Sequence, residues 1–226
     1  MNLTKMHKLL KSADGKRFIV VSLLLLWCVC MIAVRVSRTG SGYYVFLIVN
    51  LFLAGVPVFL STALRVADYW ECHRIVRLVI FCLWLLFLPN APYILTDILH
   101  LTRASHAPVW YDLALLLSCS GTGLVLGYLS LVDVQAVVAR NFGHACGWIL
   151  ATVSLMLSGF ALYLGRFLRW NSWDVLIEPS RLLEIMGVAV HPWAHTKAVS
   201  VTLIFGVILT LGYITLRVLL VQPERS

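Results

Sequence analysis

Residues 88–100 read LPNAPYILTDILH, and they end an apolar run that is long enough to enter a membrane. Each proline removes a backbone donor and pushes the residue before it away from the helical conformation. In hydrocarbon, every backbone group freed in this way needs a partner inside the protein or in a water-filled cavity. The sequence Pro89-Asn90-Ala91-Pro92 therefore predicts that a membrane-spanning helix is broken here, with Asp97 and His100 in the segment that follows.

The composition of the whole chain indicates a membrane protein. Of the 226 residues, 61% are hydrophobic and 12% are charged, whereas an ordinary soluble domain is about half apolar and about a quarter charged. Several apolar runs approach the ~20 residues that cross a bilayer as a helix. We therefore predict an all-α fold, a polytopic transmembrane helical bundle of about six spans, and exclude a soluble globular enzyme.

The predicted spans form a single transmembrane domain, residues 18–221, between a basic head and a short tail. The head is residues 1–17 and the tail is residues 222–226. We place the spans at about 18–34, 43–64, 78–96, 110–132, 145–164 and 198–221, and the third is the broken one. Leu182, Leu183 and Met186 recur at helical spacing, which predicts a short interfacial helix between spans five and six. Gly123 and Gly127 form a GxxxG pair, which is typical of close helix packing.

The net charge of +8 is explained by lysine and arginine residues that flank the spans and meet anionic lipid heads. No base-reading motif accompanies this charge, so we predict membrane lipid as a partner and no nucleic acid. Six spans put both termini on one side, which would hold 11 of the 18 lysines and arginines. The positive-inside rule then places both termini in the cytoplasm of a multi-pass protein of the cell membrane.

The loops after spans three and five lie on the same side of the membrane, whichever side that is. An unpaired charge near hydrocarbon costs a few kcal/mol, so we expect the charged residues of these two loops to pair. The predicted cluster contains Asp97, His100, Arg166 and Arg169, with Asn171 and Asp174 near them. In the predicted orientation, this cluster lies at the outer face.

Three roles remain open for the carboxylate of this cluster. Asp97 and His100 lie one helical turn apart, and a carboxylate beside an imidazole suits a general base, so these are the candidate catalytic residues. In the second, structural role, Asp97 pairs with Arg166 or Arg169 and fastens span three to span five. The third is a metal held by Asp97, His100 and Asp112, but their spacing matches no established metal motif. We therefore predict no metal site, and the sequence leaves the cofactor unknown.

A wider set of side chains at the same boundary suits an anionic ligand. Arginine recognises phosphate and carboxylate through forked N–H groups, and tryptophan favours the headgroup level. The competing interpretation is that these residues only anchor the protein at the interface. The candidate binding residues are Asn90, Tyr93, Asp112, Arg166, Arg169, Asn171, Trp173 and Asp174.

Several blocks of the sequence resemble a known family. They are Pro89-Asn90-Ala91-Pro92-Tyr93 with Thr96-Asp97 and His100, Trp110-Tyr111-Asp112, Arg166-Phe167 with Arg169, and Asn171-Ser172-Trp173-Asp174. In these blocks the chain resembles the uncharacterised bacterial integral membrane proteins catalogued as domain of unknown function 1361 (DUF1361). The resemblance extends from about the second span to the end. It implies a bacterial inner-membrane protein and transfers no activity.

The sequence leaves three functional interpretations open. The first is a membrane enzyme or binding protein for a lipid headgroup, a lipid-linked glycan or another anionic small molecule at the outer face. The second is a small-solute transporter or channel lined by the broken third helix. The third is an accessory membrane subunit. Neither the presence of an enzymatic activity nor the oligomeric state follows from these residues.

Overall fold

The computed structural model describes residues 3–103, 107–168 and 196–220, and these residues are predominantly helical. Within these ranges no β-strand is present. The helices are α1 (Leu3–Thr39), α2 (Phe46–Tyr69), α3 (Arg74–Phe87), α4 (Asn90–Tyr93), a 3₁₀-helix (Ile94–Arg103), α5 (Val109–Phe142), α6 (His144–Phe167) and α7 (Thr196–Leu220).

Six helical segments are long and apolar enough to cross a membrane. They are Gly15–Thr39, Phe46–Tyr69, Arg74–Leu99, Val109–Phe142, His144–Phe167 and Thr196–Leu219. The predicted all-helical, polytopic bundle of six spans is therefore confirmed. The interfacial helix predicted between spans five and six lies outside the described residues.

The central element of the bundle is α5. It contacts α1, α2, α4, α6 and the 3₁₀-helix, and it is the most buried of the six spans. Its 34 residues extend about 50 Å at ~1.5 Å per residue, which exceeds the ~30 Å of a hydrocarbon core. Polar residues of the neighbouring helices can therefore meet α5 at both ends of the bundle.

The proline-containing segment stays compact, and the structure does not confirm the predicted break in the third span at Pro89-Asn90-Ala91-Pro92. The regular α-helix ends at Phe87 and resumes at Asn90, while Leu88 and Pro89 keep right-handed helical backbone angles. The Ala91 N–H donates to the Leu88 carbonyl, three residues earlier, at 3.1 Å. The side-chain amide of Asn90 donates to the Phe87 carbonyl at 3.0 Å. A tightened turn with a side-chain hydrogen bond thus accommodates the two prolines.

The GxxxG pair of α5 packs against this turn. A Cβ atom added at Gly123 would lie 2.5 Å from the Ala91 carbonyl oxygen, and one added at Gly127 would lie 2.9 Å from the Ala91 Cβ. Both separations are too short for a carbon atom, so only glycine permits this approach. The GxxxG motif therefore serves a contact within the chain, between span four and the turn of span three.

Gly123→Ala is expected to lower the free energy of unfolding by about 1–3 kcal/mol, because overpacking forces backbone shifts. The matched control is Gly121→Ala, since a Cβ at Gly121 meets no atom within 4 Å. Alanine is the better helix former, so this control should be neutral or slightly stabilising. Thermal unfolding midpoints of the two purified variants in detergent provide the comparison, and equal midpoints would contradict the close contact.

Candidate functional site

Asp97 is the centre of a polar cluster at the end of the bundle where spans one, three and five finish, here called the Asp97 end. Its side chain is only 2% exposed. Its Oδ1 accepts a hydrogen bond from Nη2 of Arg166 at 2.8 Å, and its Oδ2 accepts one from Nδ2 of Asn50 at 2.8 Å. Of the two partners that the structural interpretation allowed for Asp97, Arg166 or Arg169, the structure shows an ion pair with Arg166. The carboxylate joins spans two, three and five.

Arg166 is held by further groups around its guanidinium. Its Nε donates to Oγ1 of Thr96 at 3.0 Å, and its Cζ lies 5.3 Å from the centroid of the Tyr93 ring. The Tyr93 hydroxyl donates to the Gly165 carbonyl at 3.5 Å, beside Arg166 in the sequence. The side chain of Arg166 is nevertheless 16% exposed. The guanidinium is therefore fixed in orientation, and the side chain that carries it is partly exposed.

The 3₁₀-helix explains why these particular side chains face Arg166. Side chains three residues apart eclipse in a 3₁₀-helix, so Thr96 follows Tyr93 on one face. The Thr96 hydroxyl donates to the Tyr93 carbonyl at 2.7 Å, which fixes its position. A 3₁₀-helix of ten residues is unusually long, and such stretches often mark strained or functional segments. The proline turn directly precedes this 3₁₀-helix, so it fixes where the segment that carries Thr96 and Asp97 begins.

A second ion pair at the Asp97 end is completely buried. Nε of Arg35 donates to Oδ1 of Asp112 at 2.6 Å, and Nη2 donates to Oδ2 at 3.1 Å. Both side chains are 0% exposed. Cζ of Arg35 also lies 4.5 Å from the centroid of the Tyr44 ring. This bidentate pair fastens α1 to α5.

The sequence did not predict Arg35 as the partner of Asp112, and it did not predict that Arg35 is buried inside the bundle. It placed Arg35 beyond the first span, whereas α1 continues to Thr39. The first span therefore carries its arginine inside the bundle, where a charge must be paired. A signal was available, because Arg35 and Asp112 fall on the same side of the membrane in the six-span topology.

Tyr44 lies in the connection before α2 and is buried beside the second ion pair. Burial and the neighbouring Asp112 carboxylate raise the pKa of Tyr44 and Arg35 opposes them, which leaves this pKa at about 12. Tyr44 therefore remains a neutral phenol at physiological pH. The Tyr44 ring offers an aromatic face to the Arg35 guanidinium.

The two carboxylates of the proposed metal alternative are already engaged. Both oxygens of Asp112 accept hydrogen bonds from Arg35, and both oxygens of Asp97 accept hydrogen bonds from Arg166 and Asn50. In the described ranges, no group of three or more His, Cys, Asp or Glu residues could hold a metal ion. The hydrogen bonds that the carboxylates of Asp97 and Asp112 accept are therefore those of ion pairs with arginine.

The remaining predicted site residues have different positions. Asn90 hydrogen-bonds within its own turn, and the backbone of His100 belongs to the 3₁₀-helix. The side chain of His100, together with Arg169, Asn171, Trp173 and Asp174, lies outside the described residues. Asn50 and Thr96 were not predicted as site residues. The signal for Asn50 is a polar residue in the first turns of span two, at the level where span three ends.

The opposite end of the bundle, here called the Asp68 end, carries two further carboxylates bound by arginine. Asp68 accepts hydrogen bonds from Nη1 of Arg77 at 2.9 Å, from Nδ2 of Asn141 at 3.0 Å and from Arg140. Asp133 accepts hydrogen bonds from Arg17 at 2.9 Å and Arg65 at 3.3 Å. Basic and acidic side chains therefore pair at both ends of the bundle.

The comparison with family models gives one finding that identifies the chain. The model of the family described as "Protein of unknown function (DUF1361)" matches residues 49–211. This chain belongs to the DUF1361 family. The matched range includes Asn50, Thr96, Asp97 and Arg166, but Arg35 precedes it. Neither a curated protein nor a solved structure matches the chain. The function of this DUF1361 protein therefore has to be inferred from its own residues.

Proposed function

We propose that this DUF1361 protein binds the anionic headgroup of a membrane lipid or lipid-linked glycan at the Asp97 end. The observation that carries the proposal is Arg166, whose guanidinium is oriented by Asp97, Thr96 and Tyr93 and whose side chain is 16% exposed. In the orientation predicted from the basic residues, this end faces the outer leaflet. Forked N–H donors at the headgroup level suit phosphate or carboxylate.

A second cation strengthens the attraction of an anion to this end. Lys197, in the first turn of α7, is exposed, and its Nζ lies 4.2 Å from the centroid of the Phe167 ring. Phe167 directly follows Arg166. Among the described residues Lys197 forms no ion pair, whereas Asp97 neutralises Arg166. Among the described residues, Asp97, Arg166 and Lys197 together therefore carry a net charge of +1.

The hydrogen bonds of Asp97 favour a role in ligand binding over a role in catalysis. A general base needs an oxygen that can approach a substrate proton, and both oxygens of Asp97 already accept hydrogen bonds. Its geometry instead orients Arg166. A catalytic role for Asp97 and His100, and a path for a solute along the third span, stay predictions from the sequence.

The experiment compares binding of short-chain phosphatidylglycerol with binding of phosphatidylcholine of the same chain length to the purified protein in detergent. Arg166→Gln should weaken phosphatidylglycerol binding by about tenfold or more, because a charge-assisted hydrogen bond contributes ~1.5–3 kcal/mol. Phosphatidylcholine binding should not change. Lys197→Gln should weaken phosphatidylglycerol binding in the same direction, and it does not touch the ion pair that supports the fold.

The matched control is Arg38→Gln, which removes an exposed arginine from the same end of the bundle. It should leave the preference for phosphatidylglycerol unchanged. If Arg166→Gln and Lys197→Gln both keep the wild-type preference, the Asp97 end is not the headgroup site. If Arg38→Gln has the same effect as the other two, the attraction comes from general surface charge, and the proposal is wrong.

A further inference from the structure

The Asp68 end contains an open cavity of about 690 Å³ whose walls carry several charged side chains. It lies between the connection from α2 to α3 and the last turns of α5. Three arginines line it, Arg74, Arg77 and Arg140, together with the carboxylates of Asp68 and Glu71. The arginines and carboxylates of the wall carry three positive and two negative charges, a net charge of +1. The cavity is thus a polar, cationic space that the proposed headgroup site does not include.

Asp68 positions two of the three arginines. Its buried carboxylate binds Arg77 and Arg140, and Asn141 donates a third hydrogen bond. The Arg140 side chain remains 62% exposed despite this bond, and it lines the cavity. Arg74 forms no ion pair among the described side chains. The wall therefore offers one fixed and one unneutralised guanidinium to an incoming anion.

The beginning of α3 adds a second source of positive potential. His73 caps this helix, with its Nδ1 accepting a hydrogen bond from the Ile75 N–H at 3.3 Å. The N–H groups of a first helical turn carry partial positive charge and favour anions. Arg74 and Arg77 lie in that turn. The dipole of α3 and the guanidinium charges therefore act in the same direction, and they outnumber the partial negative charges that the last turns of α2 and α5 bring to the cavity.

The aromatic residues beside the cavity place it at the headgroup level. Tyr69 and Trp70 are both exposed, and their rings form an edge-on pair with centroids 5.6 Å apart. Exposed tyrosine and tryptophan are typical of the interface between membrane and water. A ligand can therefore enter from the headgroup layer or from the adjoining solution.

We propose that this cavity is a phosphate-binding site, with Arg74 and Arg140 as the residues that contact the anion. Guanidinium groups at a helix start match the three or four oxygens of a phosphate group. The phosphate can belong to a lipid headgroup or to a soluble compound, and both share the same chemistry. In the predicted orientation the site faces the cytoplasm, on the opposite side from the headgroup site at Asp97.

A native cysteine makes the proposal testable at the site itself. Cys72 lines the cavity and is partly exposed, whereas Cys146 is exposed in the first turn of α6 and does not line it. Alkylation of both thiols by a maleimide can be followed by peptide mass spectrometry, on the full-length protein in phosphatidylcholine nanodiscs. The probes are inorganic phosphate and short-chain phosphatidic acid, with sodium chloride at equal ionic strength as the salt control.

A saturating probe should slow alkylation of Cys72 and leave Cys146 unchanged. At a concentration of ten times Kd the slowing should be about tenfold, since only unoccupied protein reacts. Protection by both probes identifies a site for phosphate in solution, and protection by phosphatidic acid alone identifies a headgroup site. Both results support the proposal. Absence of protection by either probe would overturn it.

The variants separate this site from the one at Asp97. Arg74→Gln should abolish the protection of Cys72, and it breaks no described ion pair, so the fold should be retained. Arg140→Gln should do the same. Arg166→Gln, at the other end of the bundle, should leave the protection unchanged even where it weakens headgroup binding. Protection that persists in both Arg74→Gln and Arg140→Gln would refute the assignment.

Discussion

Arg35→Met is expected to lower the free energy of unfolding by about 3–5 kcal/mol, as is usual when one partner of a buried ion pair is removed. The variant leaves the Asp112 carboxylate, which is 0% exposed, without a counter-charge between α1 and α5. It also removes the guanidinium that packs on the Tyr44 ring. The thermal unfolding midpoint and the yield of monodisperse protein in detergent would report this loss.

Two further variants show whether the unpaired buried charge causes the lower stability of Arg35→Met. Arg38→Met changes the same residue type three positions later, on an exposed face of α1, and should alter stability by no more than ~0.5 kcal/mol. The double variant Arg35→Met with Asp112→Leu should recover most of the loss, because apolar replacement of a whole buried pair is often neutral. Equal stability of Arg35→Met and Arg38→Met would contradict the described pair.

Asp97→Ala is expected to be the most destabilising change in the Asp97 cluster, at about 3 kcal/mol or more. It leaves Arg166 without its counter-charge and Asn50 without its acceptor, so spans two, three and five lose their common bond. Asp97→Asn should cost less, because the amide oxygen still accepts a hydrogen bond. Unfolding midpoints of the two variants in detergent give the order.

A double-mutant cycle tests whether the loss of stability in the Asp97 variants comes from the ion pair between Asp97 and Arg166. Asp97→Asn and Arg166→Gln should couple by about 0.5–3 kcal/mol, as residues in direct contact do. Asp97→Asn combined with Arg77→Gln, at the opposite end of the bundle, should be additive within ~0.5 kcal/mol. Additivity in the first pair would show that the 2.8 Å contact between Arg166 and Asp97 has no energetic role.

The sequence by itself determined the class of this protein and the level at which its polar residues lie. Each membrane helix satisfies its own backbone hydrogen bonds, so the apolar runs alone predict the six spans. Counting those spans then places residues 97 and 166 at the same end. Because a charge beside hydrocarbon needs a partner, the sequence predicts that Asp97 pairs with Arg166 or Arg169, and the structure shows Arg166.

Only the tertiary structure decided which side chains meet within each end. Hydropathy follows one dimension, along the chain, whereas the partner of a buried charge depends on how each helix is rotated and how closely it packs. Asp112 therefore pairs with Arg35, and Asp97 pairs with Arg166, although all four residues lie at the same end of the bundle. The prolines removed donors, as the sequence required, but the close contact between Ala91 and Gly123 is a property of the packed bundle. The same holds for the cavity at Asp68, because residues of α5 complete a wall that the sequence of the connection between α2 and α3 does not contain.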